Sequence, residues 1–174
     1  MITKQAMGGM KWYQAVFFSL LWSFGQSVWA IDTHCTNDET IIFNCSVGKK
    51  IVSVCSAKQV AADAAYIQYR FGRKGLPEKH IPANKDRQNA VIHANTLTFA
   101  GGGGAYMRFG SGQYAYVVYT AIGRGWGEKA GVVVEKGFHT QAVLHCKHPV
   151  ISELGPDFFK QAQLPEDQQG FELP

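Results

Sequence analysis

The chain has 174 residues, of which 46% are hydrophobic, and 17 basic against 13 acidic residues give it a formal net charge of +4. No run of basic residues is longer than two, at Lys49-Lys50 and Arg73-Lys74. This argues against a nucleic-acid-binding protein, which usually presents a concentrated basic face. The chain beyond residue 30 is long enough for one domain with a sizeable core.

Residues 1–30 have the composition of a secretory signal peptide. Two lysines precede an apolar run from Ala15 to Trp22, and Val28-Trp29-Ala30 offers small residues where a signal peptidase cuts. Polar residues interrupt the apolar segment, so it is too short for a spanning helix and predicts no stable membrane anchor after cleavage. Met1, Met7 and Met10 are alternative starts.

A signal peptide implies export, and its cleavage after residue 30 sets the start of the predicted domain. We predict a periplasmic or secreted protein with a single β domain over residues 31–165 and a loosely ordered tail over residues 166–174. Because such compartments are oxidising, the four cysteines are expected to form disulfides.

Short runs of β-branched and aromatic residues separated by glycines predict an antiparallel all-β domain. Seven or eight strands are expected, in a small barrel or a sandwich, with Gly48-Lys49 as the turn of the first hairpin. The runs are Ile41–Val47, Lys50–Ser56, Ala64–Phe71, Ala90–Ala100, Ala105–Phe109, Gln113–Ile122, Ala130–Lys136 and Thr140–Cys146.

Three segments depart from this strand pattern. Lys58–Ala65 suits one or two helical turns, and Asp157–Leu164 suits a short C-terminal helix because Gly155-Pro156 precedes it. Gly72–Asn89 contains two prolines and many charges, which predicts a long exposed loop.

Cys35, Cys45, Cys55 and Cys146 allow three pairings. A two-residue turn places Cys45 opposite Val52, and strand alternation then directs Cys45 and Cys55 to opposite faces, which disfavours a bond between them. Two pairings remain: Cys35–Cys55 with Cys45–Cys146, and Cys35–Cys45 with Cys55–Cys146. We favour the first, because it ties the N-terminus to the hairpin and the last strand to the core.

No metal site or cofactor is predicted. His145-Cys146-Lys147-His148, with His139 nearby, offers ligand-type side chains, but His145 and Cys146 would point to opposite faces of a strand. The spacing typical of zinc sites is missing as well.

No catalytic residues are predicted either. Gly110-Ser111-Gly112 lacks the strand-to-helix setting of a nucleophile elbow and suits a β-turn. Gly101–Gly104 lacks the Lys-Ser/Thr of a phosphate loop and suits a bulge or a hairpin end. No acidic residue lies between Asp86 and Glu128, so a carboxylate pair would have to come from loops.

The candidate partner-binding residues are three aromatic residues, one arginine and one serine. Alternation places Tyr114 and Tyr116 on one face with Val118, where they suit either the core or a binding surface. The glycine-rich loop from Gly123 to Lys129 carries a large aromatic residue that either folds back or contacts a partner. The candidate residues are Ser111, Tyr114, Tyr116, Arg124 and Trp126.

Several motifs resemble those of small exported proteins of Gram-negative bacteria with no characterised function. They are Phe43-Asn44-Cys45, Gly48-Lys49-Lys50, Ser53-Val54-Cys55, Tyr66-Ile67-Gln68-Tyr69-Arg70-Phe71-Gly72, Gly112-x-Tyr114-x-Tyr116 and Gly131-Val132-Val133-Val134. This resemblance covers most of residues 35–136 and implies export and fold, but no activity.

A weaker resemblance is to periplasmic lysozyme inhibitors, several of which carry a Ser-Gly-x-x-Tyr loop that enters the lysozyme cleft. Here Ser111-Gly112 is followed by Tyr114 and Tyr116, one residue short and one residue long of that spacing. We therefore expect a non-catalytic binding protein of the cell envelope, whose partner is a protein or an envelope glycan. The alternatives are a lysozyme-type inhibitor or immunity protein, and a small hydrolase.

Overall fold

Residues 31–58, 66–84 and 92–174 are the part of the chain described by this computed structural model. They form two five-stranded antiparallel sheets and one short helix. The first sheet has the strand order β10-β1-β2-β3-β4, and the second runs β5-β6-β7-β8-β9. The strands of the first sheet are β1 (Glu39–Val47), β2 (Lys50–Ala57), β3 (Ile67–Arg73), β4 (Leu76–Ile81) and β10 (Lys147–Ser152).

The second sheet follows the chain as a continuous meander. Helix α1 (Pro156–Gln161) confirms the predicted C-terminal helix in shortened form. The strands are β5 (Ile92–Phe99), β6 (Gly102–Ser111), β7 (Tyr114–Gly123), β8 (Gly127–Lys136) and β9 (His139–His145).

The all-β prediction is confirmed, and the architecture is a sandwich rather than a closed barrel. The described residues contain ten strands, two more than the upper expectation. The predicted loop Gly72–Asn89 is wrong at β4, and β10 was not predicted. Both are edge strands that contain a proline, Pro77 and Pro149, which an edge tolerates because one side of its backbone needs no partner.

Two predictions fall on other parts of the chain. The signal peptide at residues 1–30 and residues 59–65 of the predicted helical turns lie outside the described residues. Within the described ranges, no helix is long and apolar enough to span a bilayer.

The glycine tetrad is divided between a turn and a strand. Gly101 has a positive φ of 80° in the β5–β6 turn, whereas the other three glycines belong to β6. A Cβ atom on Gly102 or Gly104 would collide with the carbonyl of Ile122 or Thr120 on β7. These glycines therefore allow β6 and β7 to approach closely.

Alternation along β7 separates two apolar layers, as the sequence predicts. Tyr116 and Val118 join the core between the sheets, while Val117 and Tyr119 belong to a smaller cluster on the outer face of the second sheet. The core between the sheets is built from fully buried residues such as Phe43, Val52, Val54, Met107, Phe109, Val118 and Val132.

The C-terminal tail covers the outer face of the second sheet. The Phe171 ring packs 5.0 Å from that of Tyr106 and 5.5 Å from that of Tyr119, measured between centroids. Asp167 is buried, and its backbone N–H donates to the carbonyl of Ala94 on β5. The segment expected to be loosely ordered thus makes specific contacts with the sheet.

The disulfides are Cys35–Cys55 and Cys45–Cys146, the favoured pairing. Cys45 lies opposite Val52 as predicted, whereas a bulge in β1 places Cys55 opposite Ile41. Cys146 separates β9 from β10, so the chain passes from one sheet to the other at the residue bonded to Cys45. Two disulfides indicate folding in an oxidising compartment.

The two disulfides should differ in stabilisation because they close loops of different length. The sequence separations are 101 residues for Cys45–Cys146 and 20 for Cys35–Cys55. On the chain-entropy relation, Cys45→Ala with Cys146→Ala should lower the unfolding free energy by about 1.4 kcal/mol more than Cys35→Ala with Cys55→Ala. Urea unfolding measures this difference, and the pairs are matched because each has one buried and one half-buried cysteine. Equal losses would contradict the loop-length explanation.

Two core tyrosines have hydroxyl groups without a hydrogen-bond partner. Tyr69 and Tyr119 are fully buried, and neither hydroxyl oxygen has a partner within the described region. Burial raises the pKa of both phenols above the usual value of about 10. The folded state therefore favours neutral phenol, and the resulting stabilisation is complete below pH 10 and is lost as the pH rises further.

Tyr69→Phe should leave the unfolding free energy at pH 7 unchanged or raise it, because it removes an unsatisfied buried hydroxyl. The variant should also lose less stability than wild type between pH 9 and pH 11. Urea unfolding across this pH range measures both effects. A large loss of stability in Tyr69→Phe at pH 7 would show that the hydroxyl has a partner.

Candidate functional site

The first sheet carries a buried ion pair on its outer face. The Arg70 guanidinium donates to both carboxylate oxygens of Glu39 at 2.6 and 2.7 Å. Its Nη1 also donates to the carbonyl of His34 at 2.6 Å, and the backbone N–H of His34 donates to Ser53 Oγ at 3.0 Å. Arg70 thus holds the N-terminal segment on the sheet.

The second sheet has a corresponding cluster around Arg108. Its guanidinium donates to Asp167 at 2.8 Å, to Glu135, and to the carbonyl of Gly170 at 2.8 Å. Burial lowers the pKa of Arg108, but the two carboxylates outweigh it, so the pKa lies above its usual value. Burial, together with Asp167, raises the pKa of the neighbouring Tyr106 phenol.

These clusters are structural rather than catalytic. Glu39, Glu135 and Asp167 are buried acids, and each accepts hydrogen bonds from an arginine, which leaves them poorly placed to transfer protons to a substrate. In the described part of the chain, one group of three metal-ligating side chains converges, and it consists of Glu39 and the disulfide-bonded Cys35 and Cys55. A disulfide offers no thiolate to a metal.

Arg108→Gln should release the C-terminal tail, because it leaves Glu135 and Asp167 buried without their cation. Breaking a buried pair in this way costs about 3–5 kcal/mol. Carboxypeptidase digestion measures the release of the C-terminal tail, and urea unfolding measures the loss of unfolding free energy. Arg124→Gln is the matched control, because Arg124 is exposed, and it should behave like wild type. If Arg108→Gln also behaves like wild type, Arg108 does not hold the tail.

Three lysines lie over three aromatic rings where the inner faces of the two sheets reach one end of the sandwich. The ammonium-to-centroid distances are 5.0 Å for Lys50 over Phe71, 4.9 Å for Lys79 over Tyr116 and 5.7 Å for Lys136 over Tyr114. Such contacts are cation–π interactions. We name this set the lysine–aromatic mouth: Lys50, Phe71, Lys79, Tyr114, Tyr116 and Lys136.

Strand positions explain why these side chains meet. Lys50 continues the inward-facing series of Val52 and Val54 on β2, and Lys136 continues that of Val132 on β8. Lys79 lies opposite Phe71 in the β3–β4 register and reaches Tyr116 in the other sheet.

The charges of the mouth are only partly neutralised. Lys50 Nζ donates to Glu78 at 2.6 Å, and this hydrogen bond lowers the pKa of the Glu78 carboxyl. Among the described residues, no acidic side chain pairs with Lys79 or Lys136. Two of the three ammonium groups in the mouth are therefore uncompensated among the described residues.

Two exposed aromatic residues lie on adjacent turns at this end, Tyr114 in the mouth and Phe138 beside an outer-face groove that Val133 and Phe171 also line. The backbone N–H of Gly137 donates to the carbonyl of Gln113 at 3.2 Å, which joins the β8–β9 turn to the β6–β7 turn. The Phe138 side chain is 83% exposed and Tyr114 is 42% exposed. Large apolar side chains are thus held in solvent on a well-paired hairpin.

The predicted partner-binding residues separate into two groups. Ser111, Tyr114 and Tyr116 lie at the mouth, with Tyr116 half-buried and its ring 5.4 Å from that of Tyr69. Arg124 and Trp126 lie at the opposite end of β7, whose ten residues span about 30 Å. The two groups cannot form one small contact site.

Trp126 is folded back rather than fully extended into solvent. Its ring lies 5.8 Å from Phe99 and covers Gly123, with the Lys129 ammonium 5.3 Å away, and it remains 40% exposed.

Sequence reasoning missed the lysines and Phe138. Alternation could have placed Lys50 and Lys136 with the inward-facing valines, but Lys79 could not be placed because β4 was predicted as a loop. In comparisons with protein-family models, curated proteins and solved structures, the chain has no significant match.

Proposed function

We propose that this chain is an exported, non-catalytic binding protein of the cell envelope, periplasmic or secreted, and that it contacts its partner through the lysine–aromatic mouth. The partner is a protein or an envelope glycan. The observation that carries this proposal is the group of three lysine–aromatic pairs beside the exposed Phe138. The sequence resemblance to small exported proteins of Gram-negative bacteria is consistent with this role.

The exposed aromatic side chains Tyr114 and Phe138 support a role in binding, because exposed side chains contribute little to the stability of the fold. A phenylalanine that remains 83% exposed gains almost none of the hydrophobic stabilisation available in the core. Rigidly presented aromatic residues lose little conformational entropy on association and are frequent anchors of binding surfaces.

Lysozyme inhibition is the second candidate, supported by the exposed turn of Gly112, Gln113 and Tyr114, which follows the half-buried Ser111. The half-buried Tyr116 is less available to a cleft than the resemblance alone implies. Titration of the oxidised chain against c-, g- and i-type lysozymes tests this candidate, since stoichiometric loss of cell-wall lysis would identify the partner.

Tyr114→Ser with Phe138→Ser should weaken binding to isolated bacterial envelopes by at least tenfold, since both exposed aromatic contacts are removed. Tenfold corresponds to about 1.4 kcal/mol, the loss expected on removing a binding anchor. Cosedimentation with envelopes measures the affinity. Ile122→Ser is the control, because Ile122 is exposed at the other end of β7.

If the wild-type chain does not bind envelopes, or if Ile122→Ser weakens binding as much as the double variant, the proposed site is wrong.

A further inference from the structure

The end of the sandwich that carries the mouth has a strong excess of positive charge. Six basic residues lie there, on the β1–β2 and β3–β4 hairpins and beside β7. The described acids that pair with them are Asp32, bound to Lys74 at 2.6 Å, and Glu78, bound to Lys50 at 2.6 Å. Four positive charges therefore remain uncompensated among the described residues. The basic residues are Lys49, Lys50, Arg73, Lys74, Lys79 and Lys136.

The amino-acid composition does not reveal this concentration of positive charge. Without residues 1–30, the sequence has 15 basic and 13 acidic residues, which nearly balance. The fold places Glu39, Glu135 and Asp167 in buried arginine pairs, so they do not balance the exposed lysines. The field at this end is therefore much more positive than the net charge implies, and it favours an anionic partner.

The type of cation indicates what kind of anion fits. The mouth presents lysines, which bind phosphate or carboxylate as point charges and are depleted in the cores of protein interfaces. Lys79 and Lys136 lie over the rings of Tyr116 and Tyr114, so much of each ring face is already occupied. The mouth thus offers positioned ammonium groups, with the exposed part of Tyr114 as the adjacent apolar contact.

We infer that the partner of the lysine–aromatic mouth is an anionic glycan, a saccharide chain whose phosphate or carboxylate groups bind Lys79 and Lys136 while a sugar ring contacts the exposed part of Tyr114. This inference rests on the proposed binding function and specifies its ligand class. Lys136 lies over Tyr114 and Lys79 lies over Tyr116, and these tyrosines are two residues apart on one face of β7, so one ligand with several anionic groups can contact both lysines.

Isothermal titration of the mature, oxidised chain tests the ligand class with four defined probes. Lipopolysaccharide and the same material after removal of its phosphates report on phosphate, polygalacturonate reports on carboxylate, and dextran is the neutral control. The test variant is Lys79→Gln with Lys136→Gln. The matched control is Lys58→Gln with Lys160→Gln, which removes the same charge from exposed positions outside the mouth.

We expect wild type to bind at least one anionic probe and not dextran. The mouth variant should bind that probe at least tenfold more weakly at 0.15 M salt, whereas the control variant should stay within twofold of wild type. The difference should shrink at 1 M salt, because salt screens these exposed charges. Loss of lipopolysaccharide binding on dephosphorylation would assign phosphate, and binding of polygalacturonate would assign carboxylate.

Failure to bind either anionic probe, or equal weakening in both variants, would overturn the inference. Envelope binding that is abolished by protease treatment of the envelopes would also overturn it in favour of a protein partner, while the proposed binding function would stand. Absence of all envelope binding would overturn the proposed function itself.

Discussion

A buried guanidinium on the outer face of each sheet determines where both ends of the domain lie. A charge removed from water is tolerated only when carboxylates and carbonyls satisfy it, so Arg70 and Arg108 each require partners. Each arginine recruits one carbonyl from a terminal segment, that of His34 at the N-terminal side and that of Gly170 at the C-terminal side. Both ends of the described domain are thus bound to the sheets by electrostatics, and Cys35–Cys55 and the Phe171 ring reinforce the two attachments.

The same three-residue sequence occurs once in each sheet and contributes to both the inner and the outer face. Arg-Phe-Gly occurs at residues 70–72 on β3 and at residues 108–110 on β6. Because side chains alternate, each phenylalanine faces the other sheet while the arginine before it points outward. Phe109 is fully buried in the core, whereas Phe71 lies nearer the end of the sandwich and is half-buried under Lys50. One short pattern thus contributes to the core, to the buried ion pairs and to the mouth.

Several acidic residues are buried in this fold, whereas lysines remain at its surface. This difference gives the molecule an uneven distribution of surface charge. Three acids are buried beside the two arginines, so they cannot offset charge elsewhere. Three lysines instead place their ammonium groups over aromatic rings at one end of the sandwich. A protein of small net charge therefore acquires one strongly basic end, which is the property that a binding partner would meet.

The sequence by itself determined the all-β class, the first hairpin with its register up to the bulge in β1, and the two layers along β7, because these depend on alternation and turn residues within one segment. It also favoured the correct disulfides, since the face of Cys45 followed from its own hairpin. Only the tertiary structure decided the edge strands β4 and β10, the attached tail and the lysine–aromatic mouth. Those features depend on contacts between segments far apart in the chain, such as Lys79 with Tyr116 and Arg108 with Asp167, and a local pattern does not show which distant segment a residue contacts.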